Sequence, residues 1–270
     1  MRLHRLTLAG ILAVVQVVLL GLGPSANGAD LCGSYNLWQY AAQAQPAGVQ
    51  YVAAARADID IRQNNLCNTS GDPGHEVVSA AFSMVENTIG NGWVSIGWIR
   101  HKACGNCLRF YYEFKKNSSS DRFVHFFDTP SLGTTKRFRI NWDEDGDYHF
   151  HVQICDAGTG GNCTDHSPPE LDFNPISAGW GASGGAWAGE THDVSTDMPG
   201  INTDTAHFDA IQIRNYPSGS WHTPADLIRC LKNGTAIQPS CNDTYERYHF
   251  NFVPIGDSTQ GHFKVWTEPV

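Results

Sequence analysis

Polar side chains with the capacity for chemistry alternate with apolar ones along the run Leu108 to Lys115. Arg109, Tyr111 and Glu113 supply a cation, a phenol and a carboxylate, which are groups that bind polar ligands or transfer protons. Alternation with a period of two predicts a β-strand that buries one face and carries these groups on the other. We therefore expect a functional site to lie on that polar face of a sheet.

The neighbouring strand is predicted to be the preceding run, which begins at Trp93. The two runs are separated by Cys104-Gly105-Asn106-Cys107, whose central Gly-Asn pair is a hairpin signal. If the two cysteines lie opposite each other, Trp98 lies opposite Glu113 on the polar face. A slip of one residue would replace that face with the one that carries Ser95.

This register gives a candidate ligand-binding set on one face. Trp98 and Tyr111 are candidates to stack on sugar rings, because an aromatic ring offers an apolar face with a polar edge. Arg109 and Glu113 are candidates to hydrogen-bond sugar hydroxyls. The predicted partner is therefore a carbohydrate or a cell-surface glycan.

The N-terminus predicts export. Two arginines precede an apolar run, and small residues follow it at the positions that signal peptidase reads, so residues 1–28 are predicted to be a signal peptide. An uncleaved membrane anchor is the alternative. We expect an N-terminal arm at residues 29–47 and a single domain at 48–270, secreted and not bound to a membrane after cleavage. The net charge of -9 argues against nucleic acid, whose binding needs clustered cations.

The cysteine count fits an exported chain. Eight cysteines all follow the predicted signal peptide, and an even number in an oxidising compartment indicates four disulfides. Pairing between neighbours in sequence is the simplest arrangement, although the sequence does not fix the connectivity. A zinc site or a redox motif at the Cys-x-x-Cys is disfavoured, since there is no second such motif and the first lies at a hairpin tip. The cysteines are Cys32, Cys67, Cys104, Cys107, Cys155, Cys163, Cys230 and Cys241.

The body of the chain predicts an all-β fold. Short alternating runs are separated by Gly, Pro and Asn turns, and no long helix is convincing, which is typical of an antiparallel β-sandwich. One run, His75 to Glu86, also fits a helical face. The other strand candidates are 49–61, 122–129, 136–142, 148–154, 186–193, 208–214, 245–253 and 261–267.

For three motifs we prefer a purely structural explanation over a metal site or a catalytic nucleophile. The acidic run Asp143 to Asp147 contains an Asp-Gly turn and predicts a hairpin rather than a calcium loop. His149 and His151 share a strand face without a third ligand fixed by spacing, so we predict no metal site. Gly181 to Gly185 matches the nucleophile elbow G-x-S-x-G, but a Gly-rich loop is the expected structure. No cofactor is predicted.

Short motifs resemble a known family of hydrolases. Trp93-Val94-Ser95-Ile96-Gly97, then Tyr111-Tyr112-Glu113-Phe114, and later Ala186-Trp187-Ala188-Gly189-Glu190 follow one another in the order seen in the secreted glutamic peptidases, the eqolisins. The resemblance covers roughly residues 93 to 214. It implies a concanavalin A-like (jelly-roll type) antiparallel β-sandwich, here stapled by disulfides.

The departures from the family pattern bear on activity. The resemblance assigns catalysis to a Gln and a Glu, and the Gln position is Ser95 here, while the carboxylate carries over only onto Glu190 because the other family Glu falls on Ala186. Serine lacks the amide donor that would stabilise an oxyanion at that reach. The prediction is therefore a non-catalytic extracellular binding protein. The alternatives are a hydrolase with an altered site using Glu190, and a structural surface protein. If the resemblance holds, Ser95 and Glu190 should lie on one face, close enough to bracket a small group.

Overall fold

The computed structural model describes residues 52–64, 66, 78–87, 92–142, 149–158, 160–175, 177–178, 180, 183–191, 198–201, 203–215, 219–224, 230–232, 235–238, 248–252 and 261–267. The predicted signal peptide, the predicted N-terminal arm and the acidic run 143–147 lie outside these residues. No helix in the described part of the chain has the length and apolar character needed to cross a membrane.

The described residues are almost entirely β-structure, as predicted. Short 3₁₀ turns occur at Lys102–Cys104 and Pro169–Leu171. The strands, numbered in chain order, are β1 Val52–Ile61, β2 Val78–Asn87, β3 Trp93–His101, β4 Cys107–Lys115, β5 Phe123–Phe127, β6 Thr134–Trp142, β7 Phe150–Asp156, β8 Thr164–Asp165, β9 Ser183–Thr191, β10 Gly200–Ile201, β11 Asp204–Asn215, β12 Cys230–Lys232, β13 Thr235–Gln238, β14 Tyr248–Phe252 and β15 Gly261–Thr267.

Two large sheets form a sandwich. The first has the order β14-β15-β10-β11-β1-β6-β7-β8, and the second has the order β5-β4-β3-β2-β9. Neighbouring strands run antiparallel, apart from the short parallel contact between β10 and β15. The predicted β-sandwich is confirmed.

A core of apolar side chains fills the space between the sheets. It takes every second residue from the central strands of each sheet, as the period of two requires. Large side chains that are fully buried there include Trp98, Trp187, Phe138 and Phe208. The run that also fitted a helical face forms strand β2. Both faces of this strand and all ten of its residues are buried, so it lacks the polar alternation of a surface strand, and this explains the ambiguity of its sequence.

The connection between β3 and β4 sets the register of the candidate site. The loop between His101 and Cys107 has five residues rather than the two of a tight hairpin. It consists of the 3₁₀ turn Lys102–Cys104 followed by Gly105 and Asn106, both with positive φ (75° and 63°). His101 therefore lies opposite Cys107. The predicted register, with Cys104 opposite Cys107, is wrong, and it is wrong by three residues.

Two of the predicted disulfides are confirmed. Cys104 is bonded to Cys107 and Cys155 to Cys163, each pair being neighbours in sequence. The first closes the β3–β4 loop and the second closes the connection between β7 and β8. Among the described cysteines whose side chains are placed, none is free. The predicted pairs of Cys32 with Cys67 and of Cys230 with Cys241 lie outside the described side chains.

Candidate functional site

The five-stranded sheet turns one face toward the core and the other away from it. We call the second face the site face. It carries the predicted polar side chains of β4, and most of its other members are apolar and buried in a cluster of their own. It consists of Val78, Ala80, Phe82, Met84 and Glu86 of β2; Trp93, Ser95, Gly97, Ile99 and His101 of β3; Arg109, Tyr111, Glu113 and Lys115 of β4; Val124 and Phe126 of β5; and Gly184, Ala186, Ala188 and Glu190 of β9.

A pocket of about 110 Å³ opens on the site face. It brings together two carboxylates, a phenol, an imidazole and a guanidinium against an apolar floor. A volume of this size has room for several water molecules. The lining residues are Val78, Ala80, Ile99, His101, Tyr111, Glu113, Arg122, Val124, Phe126 and Glu190.

Glu113 is held by an ion pair on the pocket wall. Arg122, which directly precedes β5, donates from Nη2 and Nε to Glu113 Oε2 at 2.6 and 2.8 Å. Only 6% of the Glu113 side chain is exposed, compared with 27% of the Arg122 side chain. Because both donors reach one oxygen, the pair fixes the rotamer of Glu113 and leaves Oε1 directed elsewhere.

Tyr111 is a buried phenol between the two carboxylates. Burial raises its pKa well above the ordinary value, and the nearby carboxylates of Glu113 and Glu190 raise it further. The guanidinium of Arg122 and the hydroxyl of Ser95 lower the pKa by less. The phenol of Tyr111 therefore stays protonated and able to donate a hydrogen bond throughout the physiological pH range.

Ser95 and Glu190 share the site face, as expected, but they are not adjacent. Ser95 lies opposite Met84, and Met84 lies opposite Ala186, whereas Glu190 lies opposite Ala80. The two residues are thus two strands and four positions apart, which puts their Cα atoms roughly 16 Å from each other by ordinary strand spacings. The expectation that they bracket one small group is wrong.

Ser95 lies in a closed part of the face. Its side chain is 0% exposed, and the phenol of Tyr111 is a polar group close to its Oγ. Gly97, two residues further along β3, matches a glycine of the family motif. A glycine is required there because a Cβ atom would collide with the backbone of Ala81 and Phe82. The glycine of the motif is therefore kept, while the long amide side chain of the family Gln is replaced by the short side chain of Ser95.

Trp98 does not belong to the site face. It lies opposite Phe110, is 0% exposed, and its indole Nε1 donates to the carbonyl oxygen of Asp60 in the facing sheet at 3.0 Å. The predicted position of Trp98 beside Glu113 is wrong, because the five-residue loop places Ser95 opposite Glu113 instead. Trp98 is a core residue that ties the two sheets together.

Arg109 lies on the site face but does not line the pocket. Its guanidinium Nη1 donates to Thr129 Oγ1. Of the four predicted ligand-binding residues, the structure thus brings Tyr111 and Glu113 together, leaves Arg109 to one side, and places Trp98 on the opposite face.

Three charged or aromatic pocket residues were not among the predicted site residues, and neither were the four aliphatic ones. His101 ends β3, and Phe126 contacts it in an edge-to-face arrangement with ring centroids 5.4 Å apart. Phe126 is also one of the few exposed large apolar side chains in the described chain. The third is Arg122, and its only sequence signal was a cation at the start of the predicted strand 122–129.

The other motifs do not form metal or nucleophile sites among the described residues. His149 Nε2 contacts Asp172 at 2.7 Å and His151 Nδ1 contacts Asp165 at 2.6 Å, so each imidazole has its own carboxylate. No group of three or more metal-ligating side chains occurs in the described part of the chain. Ser183 begins strand β9 and donates from Oγ to the Val52 carbonyl at 2.8 Å, which is not the strand-turn-helix setting of a nucleophile elbow.

Comparison with known proteins gives a match in structure only. No family model and no curated protein sequence matches the chain. A crystal structure of scytalido-glutamic peptidase with a peptide-based transition state analog is similar, with a TM-score of 0.50 and 10% identity, over 85% of this chain and 98% of that one. The chain has the fold of a glutamic peptidase.

Two further solved structures are similar at lower scores. One is scytalido-glutamic peptidase with a transition state analog inhibitor, with a TM-score of 0.48 and 10% identity over 85% of this chain and 97% of that one. The other is SCP-B, a member of the eqolisin family of peptidases, in a complex with the tripeptide Ala-Ile-His, with a TM-score of 0.46 and 7% identity over 87% of this chain and 100% of that one.

Proposed function

We propose that this protein is a hydrolase that cleaves peptide bonds by acid–base chemistry in the pocket formed by Glu190, Tyr111 and Glu113. The observation that carries the proposal is the convergence of two carboxylates and a protonated phenol on one small cavity. Among the functions considered from the sequence, this is the hydrolase with an altered site. Support for peptides as the substrate class comes from the similar structure, whose own substrate analog is a peptide.

The size of the pocket favours hydrolysis over sugar binding. Sites that enclose a small-molecule ligand usually have about 300 to 1,000 Å³, several times the volume here. A volume of about 110 Å³ fits a water molecule and one reacting carbonyl group. Sugar stacking by Tyr111 is not supported either, since only 3% of this residue is exposed and no ring face is open to a ligand. Carbohydrate binding remains an untested prediction.

The two central groups have complementary roles in this proposal. Glu190 acts as the general base that takes a proton from water as its oxygen bonds to the peptide carbonyl carbon, and it returns that proton to the leaving nitrogen as the C–N bond breaks. Such a role is typically worth about 10²- to 10⁴-fold in rate. Tyr111 donates its phenolic hydrogen to the oxyanion that forms on the substrate carbonyl, in place of the missing family amide. Loss of one such donor usually costs about 10²- to 10³-fold.

Glu113 and Arg122 support this arrangement without reacting. Burial raises the pKa of the Tyr111 phenol first, and the negative charge of Glu113 raises it further, which keeps the phenolic hydrogen available; Arg122 holds Glu113 in place and lowers the pKa by less. Glu113 lies on β4 and Arg122 lies directly before the neighbouring strand β5, so the pair gives the pocket one charged wall. His101 completes the polar lining opposite the apolar floor.

We infer that the protein works outside the cell. Two described disulfides are compatible with an oxidising compartment, where such bonds persist. The predicted signal peptide is consistent with this location. The existence of a lined pocket argues against a purely structural surface protein, for which a filled face would be expected.

The test is hydrolysis by the purified chain without residues 1–28. Casein and a mixed peptide library should be degraded between roughly pH 3 and pH 7, where carboxylates carry out acid–base catalysis. Glu190→Gln should abolish the degradation, and Tyr111→Phe should reduce it. Arg109→Gln is the matched control, since Arg109 lies on the same strand outside the pocket. No hydrolysis of any library peptide, or full activity of Glu190→Gln, would overturn the proposal.

A further inference from the structure

The disulfide between Cys104 and Cys107 lies at the tip of the β3–β4 hairpin and is open to solvent. Cys104, Gly105 and Asn106 are exposed, and Cys107 is half-buried. A Cβ atom added at Gly105 would have no other atom within 4 Å, so the space beside the tip is empty of protein. A dissolved thiol can therefore approach the sulfur of Cys104.

The disulfide between Cys155 and Cys163 has a different environment. Cys163 is exposed, whereas Cys155 on strand β7 is only 1% exposed. Attack by a thiol on the accessible sulfur of Cys163 would release Cys155 as a thiolate in a buried position, where the thiolate form is disfavoured. A thiol that forms a thiolate reluctantly is a poor leaving group, so exchange at this bond should be slow.

Positive charge lies next to the hairpin disulfide. Arg100 donates from Nη1 to the carbonyl oxygen of Asn106 at 3.1 Å, and that carbonyl group is bonded to the backbone nitrogen of Cys107. Lys102 adds a second cation two residues before Cys104. Cations beside a cysteine favour its thiolate, which makes Cys107 a better leaving group than the buried Cys155.

The hairpin does not depend on this disulfide. Strands β3 and β4 have nine residues each and are paired along their whole length, from Trp93 with Lys115 to His101 with Cys107. The bond joins cysteines only three positions apart in sequence, so it restricts the unfolded chain little. The bond can therefore open and close while the sheet stays folded.

The tip of the hairpin is connected to the pocket through His101. The carbonyl oxygen of His101 lies 3.2 Å from the sulfur of Cys104, and His101 is paired with Cys107 across the two strands. The imidazole of His101 lines the pocket and contacts the ring of Phe126. Opening of the disulfide removes a constraint on the loop that follows His101, so the imidazole gains freedom to move.

We propose that the Cys104–Cys107 bond is a redox modification site, which exchanges with low-molecular-weight thiols of the glutathione class and thereby affects the position of His101. One thiolate attacks the sulfur of Cys104, the S–S bond breaks, and Cys107 leaves as a thiolate. A second thiolate attacks the resulting mixed disulfide at the sulfur of the first thiol and releases Cys104. Two small thiols are oxidised to one disulfide, and their two protons pass to the two cysteines.

In this role the cysteine pair is the substrate of exchange and not its catalyst. Catalytic Cys-x-x-Cys pairs have a strongly favoured thiolate, commonly at the start of a helix. The pair described here lies in a loop between two strands. The sequence argument against a catalytic redox motif therefore stands.

Thiol exchange by the purified chain without residues 1–28 tests the proposal. The native protein is incubated with reduced and oxidised glutathione in defined ratios, and its free thiols are alkylated and located by peptide mass spectrometry. Cys104 and Cys107 should be alkylated together, at least about tenfold faster than Cys155 and Cys163. Equal rates at the two bonds, a slower reaction at Cys104 and Cys107, or no reaction of either bond without denaturant would overturn the proposal.

A pair of charge variants tests the role of Arg100. Arg100→Gln should slow reduction of the hairpin disulfide by about twofold to fourfold, because it removes a cation that favours the leaving thiolate. Lys115→Gln removes the same charge at the far end of strand β4 and should leave the rate unchanged. Equal rates in the two variants, both with a native thermal transition, would overturn the role assigned to Arg100.

The imidazole signals in NMR spectra measure the effect on the pocket, with His101→Gln used to assign the signal of His101. Reduction should shift this signal, and the double variant Cys104→Ser/Cys107→Ser should show the shifted position without a reductant. A signal of His101 that reduction leaves unchanged would overturn the connection to the pocket. Any effect of reduction on peptide hydrolysis rests on the proposed function. A protein that exchanges thiols but hydrolyses no peptide would overturn that function and support this site.

Discussion

Two regions of the site face use the same strands in different ways. The pocket region holds Glu190 beside a cavity, whereas the closed region holds Ser95, Ala186 and a second carboxylate, Glu86. Glu86 is only 1% exposed and does not line the pocket. The closed region contains Ser95, at the position of the family Gln, and Ala186, at the position of one family Glu, whereas Glu190 lies in the pocket region. The difference shows that a shared fold can keep its backbone framework while its polar side chains change position.

The largest effect should come from exchanging one carboxylate in each region. Glu190→Gln should lower kcat/KM for peptide hydrolysis by about 10³-fold, close to 4 kcal/mol, because it removes the general base. Glu86→Gln, made in the closed region, should leave kcat/KM within about tenfold. Steady-state kinetics of both variants against one peptide substrate measure the contrast. A larger loss in Glu86→Gln than in Glu190→Gln would place the chemistry in the closed region.

Removing the cation from the pocket wall should destabilise the protein. Arg122→Met leaves Glu113 buried without its partner, and we expect the free energy of unfolding to fall by about 2 kcal/mol, below the range for fully buried pairs because Arg122 is partly exposed. Urea denaturation measures the change. Lys136→Met, which removes an exposed ion pair with Asp156, is the control and should leave the midpoint nearly unchanged. Equal midpoints for the two variants would show that the wall pair adds no stability.

Restoring the family residue should not restore the family site. Ser95→Gln inserts a longer side chain into a position that is 0% exposed, and overpacking of this kind costs about 1 to 3 kcal/mol. Ser95→Ala should cost about 1 kcal/mol or less, since the contact that Oγ loses is the one with the phenol of Tyr111. Thermal unfolding of both variants checks these values. Peptide hydrolysis that rises in Ser95→Gln while Glu190→Gln stays active would contradict the assignment of the two regions.

The smallest effect concerns the phenol between the two regions and appears only at high pH. Because the pKa of Tyr111 is raised in the folded protein, its contribution to stability is complete below its ordinary pKa, near 10, and is lost as the pH rises above that value. Tyr111→Phe should therefore lose less stability than the native protein between about pH 9 and pH 11. Melting temperatures across this range test the sign. Parallel curves for both proteins would mean that the phenol is not buried.

Alternation along the chain predicted much of the sheet structure. Strand β4 and strand β15 were located nearly to the residue, because each has clear alternation or a clear boundary. Strand β2 was ambiguous, since burial on both faces removes the polar residues that would show the period. The short strands β8 and β10, two residues each, were missed because so short a segment carries no period at all.

The alternation of residues predicted the site only within strand β4, whereas Glu190 of β9 was named from the family resemblance. Tyr111 and Glu113 were identified together, since period-two spacing fixes that two residues of one strand share a face. Trp98 was misplaced, because its face depends on the length of the β3–β4 loop, which side-chain patterns do not report. Arg122, which lies directly before strand β5, was not predicted as a site residue, because no local pattern encodes a contact with a neighbouring strand.

The pairing of β3 with β4 also limits the insertions and deletions that the five-residue loop between these strands can accept. Opposed residues on the two strands pair by parity, so the insertion of one residue in the loop would exchange Tyr111 and Glu113 for the core residues Tyr112 and Phe114 unless a bulge absorbed it. Insertions or deletions of two residues preserve the face. Variation in this loop among natural relatives should therefore occur in even steps, whatever the identity of its side chains.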